Sequence, residues 1–89
     1  MKKIAFIHDR FPIGGAERVT LDICNYLYKN SPDYRCYVFA NSFDEESLSK
    51  RLVGKIELRQ IPRKAERSKA VEKLIVEEGI NLIILVVRP

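Results

Sequence analysis

The sequence predicts an α/β fold: a Rossmann-like half of a doubly wound sheet, four parallel strands in the order 3-2-1-4 with helices on both faces. Three observations carry this. Strand-like runs alternate with helix-period segments in the order β-α-β-α-β-α-β, and such alternation implies parallel strands joined by right-handed crossovers. The first and last strand-like runs are almost wholly apolar, as strands covered on both faces are. The third run carries Lys55, Glu57 and Arg59, charges that need water and so belong at a sheet edge.

The elements follow in order. Residues 4–7 form a short continuous apolar run that reads as a strand. From Ala16 to about Asn30 the period changes to a helical one, with Ala16, Val19, Ile23 and Leu27 as the expected core stripe and Thr20 and Cys24 beside it. Pro32 cannot continue that helix. Residues 34–40, "YRCYVFA", are aromatic and β-branched and read as the second strand. Ser42 or Asp44 caps a short helix with Leu48 and Leu52 on one face. Residues 55–61 form the third strand. The stretch "PRKAERSKAVEKLIVEEG" opens on a proline, shows a stripe of Ala70, Val71, Leu74 and Ile75, and closes on Gly79 as a C-cap. Residues 81–87, "NLIILVV", form the last strand. In the order 3-2-1-4 that apolar strand is an open edge, which invites pairing with a further segment or a second copy.

Composition bounds the rest. At 89 residues the chain is one small domain or part of one. Hydrophobic residues make up 46% and charged residues 31%, ordinary for a globular domain. A net charge of +4 fits anionic ligands, anionic lipid or nucleic acid and selects none of them. Cys24 and Cys36 lack metal-ligand spacing and read as buried thiols in a reducing compartment. One histidine completes no zinc site. The N-terminus lacks the h-region of a signal peptide, and no apolar run reaches the ~20 residues of a membrane span. A cytoplasmic location is the expectation.

The segment that carries chemistry is "IHDRFPIGGAERVT", residues 7–20. Open parallel sheets bind ligands beyond the carboxyl ends of their strands, where the strand order reverses. Here that point lies between the first and fourth strands, and the loop leaves the first strand there. It delivers the chain to a helix N-terminus, whose free N–H groups favour anions, and Gly14 and Gly15 permit close backbone approach. The loop matches neither GxxxxGK[ST] nor GxGxxG, so a phosphate cradle and a tight turn both stay open. His8 ends the strand on the ligand side, bonded to backbone or to ligand. Glu17 suits the first helical turn. Asp9 and Arg10 pair with each other or tie down the loop, and Arg18 meets a phosphate or stays solvated.

The row Gly14-Gly15-Ala16-Glu17-Arg18-Val19, after a strand of type "KI.F" and before Leu27, resembles the start of the GT-B retaining glycosyltransferases, the large family with a GGAE loop and a C-terminal E-x7-E motif. The resemblance covers residues 2 to about 30. It implies two Rossmann-like domains facing a cleft, with this chain as part of the N-terminal, acceptor-side one. Gly14, Gly15, Ala16 and His8 would then face the donor diphosphate and the acceptor. The donor would be a nucleotide-sugar and the acceptor a glycan or a lipid-linked saccharide, with no metal and no other cofactor. The carboxylate pair and the phosphate-binding Arg and Lys of that family lie in a domain this chain lacks. The chain therefore corresponds to about the first quarter of such an enzyme and is expected to transfer no sugar alone.

The basic segment with Arg59, Arg63, Lys64, Arg67 and Lys69 gives peripheral contact with anionic lipid or a solvated helix face. Nucleic acid is not expected, since no recognition motif or interleaved aromatic occurs in that segment. The alternative to a transferase part is a stand-alone, non-catalytic α/β module. It would dimerise through its open last strand and bind a phosphorylated ligand or none.

Overall fold

The structure, a computed structural model, describes residues 1–9, 15–51, 55–63 and 66–86, with the side chains of residues 15 and 16 outside the description. Its elements run β1 (Lys2–Ile7), α1 (Gly15–Asn30), β2 (Tyr34–Ala40), α2 (Glu45–Arg51), β3 (Glu57–Gln60), α3 (Arg67–Glu78) and β4 (Leu82–Leu85). The four strands make one parallel sheet in the order β3-β2-β1-β4. β1 pairs along its length with β2, Lys2 opposite Tyr34 through Ile7 opposite Phe39, and Ile4 to Ile7 stand opposite Leu82 to Leu85.

Period-two alternation divides the core into two layers. Ile4 and Phe6 of β1 and Cys36, Val38 and Ala40 of β2 face α1 and α2, where they pack with Leu21, Cys24 and Leu48. Ala5, Ile7, Tyr37, Phe39 and Ile61 form the opposite layer, covered by Val71 and Leu74 of α3. The helices therefore lie on both faces, as the sequence requires of crossovers between parallel strands.

Local chemistry explains the boundaries. α1 carries Glu17 in its first turn and Lys29 in its last, matching the helix dipole at both ends. Ser31 N–H closes onto Leu27 carbonyl at 2.8 Å, after which Pro32 stops the helix. Asp44 is the cap of α2. Its carboxylate accepts from the Ser47 amide at 3.2 Å and the Ser47 hydroxyl at 2.8 Å, and these bonds hold its pKa below the ordinary value. Gly79 ends α3 in the left-handed region, φ 67° and ψ 47°, donating to the Ile75 carbonyl. Leu52 lies outside the described residues.

Two expectations about the helices change. Val19 and Ile23, expected in the core stripe of α1, are 58% and 40% exposed. The buried face is Glu17, Thr20, Leu21 and Cys24, one residue further round the wheel. In α3 the stripe is found but shallow. Ala70, Val71, Leu74 and Ile75 are half-buried, and no residue of the helix is fully buried.

The two edges of the sheet differ. Along β3 Glu57 pairs with Lys55 at 3.6 Å and with Arg59 at 3.5 Å, a charged border that discourages pairing with another strand. Arg59 also donates to Glu78 of α3 at 2.7 Å and stands over the Tyr37 ring, 5.5 Å from its centroid. Among the described residues β4 has no such charged border. Leu82, Ile83, Ile84 and Leu85 are all exposed, Leu85 to 69%. Cys24 and Cys36 are free thiols, both buried in the α1-side layer. The neighbouring Cys36 thiol and burial raise the Cys24 pKa, and interaction with the Cys24 thiol lowers that of Cys36.

Candidate functional site at the carboxyl edge of the sheet

The carboxyl ends of β1, β2 and β3 are tied into one platform. His8 N–H donates to Phe39 carbonyl at 2.8 Å, Asn41 N–H to Asp9 carbonyl at 2.8 Å, and Ile61 N–H to Ala40 carbonyl at 2.9 Å. These bonds carry the parallel ladder past the ends of the regular strands. Asn41 is the hub. Its side-chain amide donates to Ile61 carbonyl at 3.2 Å, its carbonyl accepts from Gln60 at 3.1 Å, and its Oδ1 accepts from Arg63 Nε at 2.9 Å.

Beside this platform, the start of α3 brings Arg67 onto Asp9, with which it forms an ion pair. Asp9 thus binds across to α3; Arg10, its other expected partner, lies outside the described residues. The platform therefore presents two guanidinium groups, Arg63 and Arg67, and one carboxylate, Asp9. Its local charge favours anions, as the residue types imply.

Beneath the β1–α1 junction lies a small buried polar layer. His8, Glu17 and Thr20 are only 3%, 2% and 2% exposed. His8 Nε2 stands 3.0 Å from the Thr20 hydroxyl, and its Nδ1 is 3.8 Å from Glu17 Oε2. One ring nitrogen is thus within hydrogen-bond distance of α1 and the other faces a carboxylate. Such a pair of contacts fixes the orientation of an imidazole. The rotation of α1 is explained by the same contacts, since a buried imidazole demands polar partners that Val19 and Ile23 cannot supply.

The glycine motif falls at this junction. Gly15 is the first residue of α1 and Ala16 the second; Gly14 lies outside the described residues. Glu17, read from sequence as a dipole partner in the first turn, does sit there, but its side chain is turned inward beside His8. Arg18 is exposed. With Leu21, Asp22, Asn25 and Arg51 it lines a cleft of about 430 Å³ between α1 and α2. Sequence reasoning missed Asn41 and Thr20. A polar residue immediately after an apolar strand, and a hydroxyl three residues after Glu17, were the available signals. Among the described residues no group of three or more His, Cys, Asp or Glu gathers as metal ligands, and no helix is long and apolar enough to cross a membrane.

Family models, curated proteins and solved structures gave no match to the chain. The sheet order and the residues at its carboxyl edge are therefore the ground for any functional reading.

Proposed function

We propose that the chain is the N-terminal, acceptor-side part of a glycosyltransferase that moves a sugar from a nucleotide-sugar to a glycan or a lipid-linked saccharide. The observation that carries this is the position of the Gly14-Gly15-Ala16-Glu17-Arg18-Val19 row. It lies at the β1–α1 junction, at the carboxyl edge of a sheet whose order reverses between β1 and β4. That is where an open α/β sheet receives a ligand. Helix α1 then offers its N-terminal amides to a diphosphate. His8, held by Thr20, supports the junction from below. Arg63 and Arg67 add positive charge beside it. Stabilising a departing diphosphate by fixed dipoles and cations is electrostatic catalysis. Groups that complete the reaction would come from a second domain, and this chain alone turns nothing over.

The test is titration of the isotopically labelled chain with UDP-sugars, GDP-sugars and the free diphosphates, followed by amide NMR. Shifts gathered at residues 8–9 and 15–20 are the expected result, with no sugar released. Shifts absent from that junction at about 10 mM ligand, or turnover by the chain alone, would sink the proposal.

The exposed β4 edge favours a second reading. In it the chain is a non-catalytic module that pairs through Leu82–Leu85 with β4 of a second copy, extending the sheet. The contrast between a charged β3 edge and an uncharged, apolar β4 edge supports it.

A further inference from the structure

A cavity of about 520 Å³ opens at the opposite end of the sheet, where the strands begin. It lies between the last turn of α1 and the first residues of β2 and β3, and is lined by Tyr28, Lys29, Tyr34, Arg35, Lys55 and Glu57. Its volume is that of an ordinary small-molecule site. Its chemistry is lopsided. Lys29, Arg35 and Lys55 face one carboxylate, Glu57, and that carboxylate is already neutralised by Lys55 at 3.6 Å and Arg59 at 3.5 Å. Among the described residues neither Lys29 nor Arg35 has an ion-pair partner. A fourth cation, the Lys2 ammonium, stands 5.9 Å from the centroid of the Tyr34 ring.

The C-terminal end of the α1 dipole opposes an anion here, but it amounts to about half a charge, against the two cations Lys29 and Arg35 that have no ion-pair partner among the described residues. The Ser31 amide, 2.8 Å from the Leu27 carbonyl, takes up part of it. The walls are also tied together. Lys2 N–H donates to Asp33 carbonyl at 2.7 Å and Tyr34 N–H to Ser31 carbonyl at 3.0 Å, so hydrogen bonds join the start of β1, the turn and the start of β2. Two tyrosine rings, Tyr28 being 55% exposed, supply flat apolar surface beside the charges.

We propose that this cavity binds a phosphate monoester carried on a ring, as in a nucleoside monophosphate or a sugar phosphate. Arg35 and Lys29 take the phosphate oxygens, Arg35 through its planar fork. Tyr28 and Tyr34 lie against the ring. The site is at the far end of the sheet from the glycine junction and stands or falls independently of the transferase reading.

Amide NMR titration tests it, with AMP, glucose 6-phosphate and inorganic phosphate as probes to about 10 mM. Expected are shifts at residues 28–35 and 55–57 with both ring phosphates, and weaker binding of inorganic phosphate. The double substitution Lys29→Ala with Arg35→Ala, at two exposed side chains, should weaken both ring phosphates about tenfold or more. Tyr28→Ala should weaken the ring phosphates and leave inorganic phosphate unchanged. Lys73→Ala, at an exposed position on α3 away from both sites, should change neither. Equal affinity for inorganic phosphate, shifts only at residues 8–20 or 61–67, or no shifts at all would overturn the proposal. So would binding to phosphatidylserine vesicles without binding to the soluble phosphates, which would make this face a membrane contact.

Discussion

Thr20→Val tests the account of how α1 is seated. The hydroxyl of Thr20 lies 3.0 Å from His8 Nε2, and both residues are almost fully buried. Valine keeps the shape and the β-branch, so neither a cavity nor a large change in helix propensity is introduced. What changes is that Nε2 comes to face a methyl group at a buried position. Losing a buried hydrogen-bond partner costs about 1–3 kcal/mol. A domain of this size is stable by about 4–13 kcal/mol, taking ~0.05–0.15 kcal/mol per residue. The substitution is therefore a measurable fraction of the whole. With a urea m-value of about 1 kcal/mol/M, the midpoint should fall by about 1–3 M at unchanged m. Equilibrium urea unfolding followed by far-UV circular dichroism reads this directly. His8 is the one histidine in the chain, so its ring nitrogen shifts are unambiguous and should move in Thr20→Val while Thr20→Ser, which keeps the oxygen, preserves them. A midpoint shift below about 0.3 M with unchanged ring shifts would refute the role given to this hydrogen bond.

Three further outcomes follow from particular residues. Leu85→Lys places a charge on the open edge at a 69% exposed position; it should leave stability within about 0.5 kcal/mol and abolish any concentration-dependent dimer seen by sedimentation equilibrium. Glu78 titrates below its ordinary 4.5 because Arg59 hydrogen-bonds its carboxylate. It therefore contributes stability above that pH and loses the contribution as pH falls below 4.5 through the folded value. Glu78→Gln should flatten the acid limb of stability against pH measured by urea unfolding. Gly79→Ala puts a side chain at φ 67° where nothing lies within 4 Å, so its cost is purely conformational, about 1–2 kcal/mol by thermal or urea unfolding, and Gly79→Asn should cost less.

How far the sequence reveals this chain is clearest in α1. Its extent was legible because the change of period at Ala16 and the helix-stopping Pro32 mark its ends. Its orientation was not. By hydropathy Val19 and Ile23 outrank Glu17 and Thr20, yet the latter are buried because they meet His8, a residue separated by a loop and placed by the sheet. Val19, Ile23 and Tyr26 instead form an exposed apolar stripe at helical spacing. The carboxyl-edge site was half legible. The glycine row and His8 stand together in sequence, whereas Asn41, Arg63 and Arg67 come from distant segments, and no pattern along the chain links Asp9 to Arg67.

The sequence by itself determined the order of elements, the parallel sheet, its 3-2-1-4 arrangement and its two unlike edges. Those follow from local periodicity, from right-handed crossovers and from where charge is tolerable. Only the tertiary structure decided which face of α1 is buried, what Asp9 pairs with, and that Lys29, Arg35 and Lys55 converge on one cavity with two tyrosines. Those depend on which side chains the sheet brings within a few ångströms, and a buried polar group selects its neighbours by hydrogen bonding, which hydropathy along the chain does not measure.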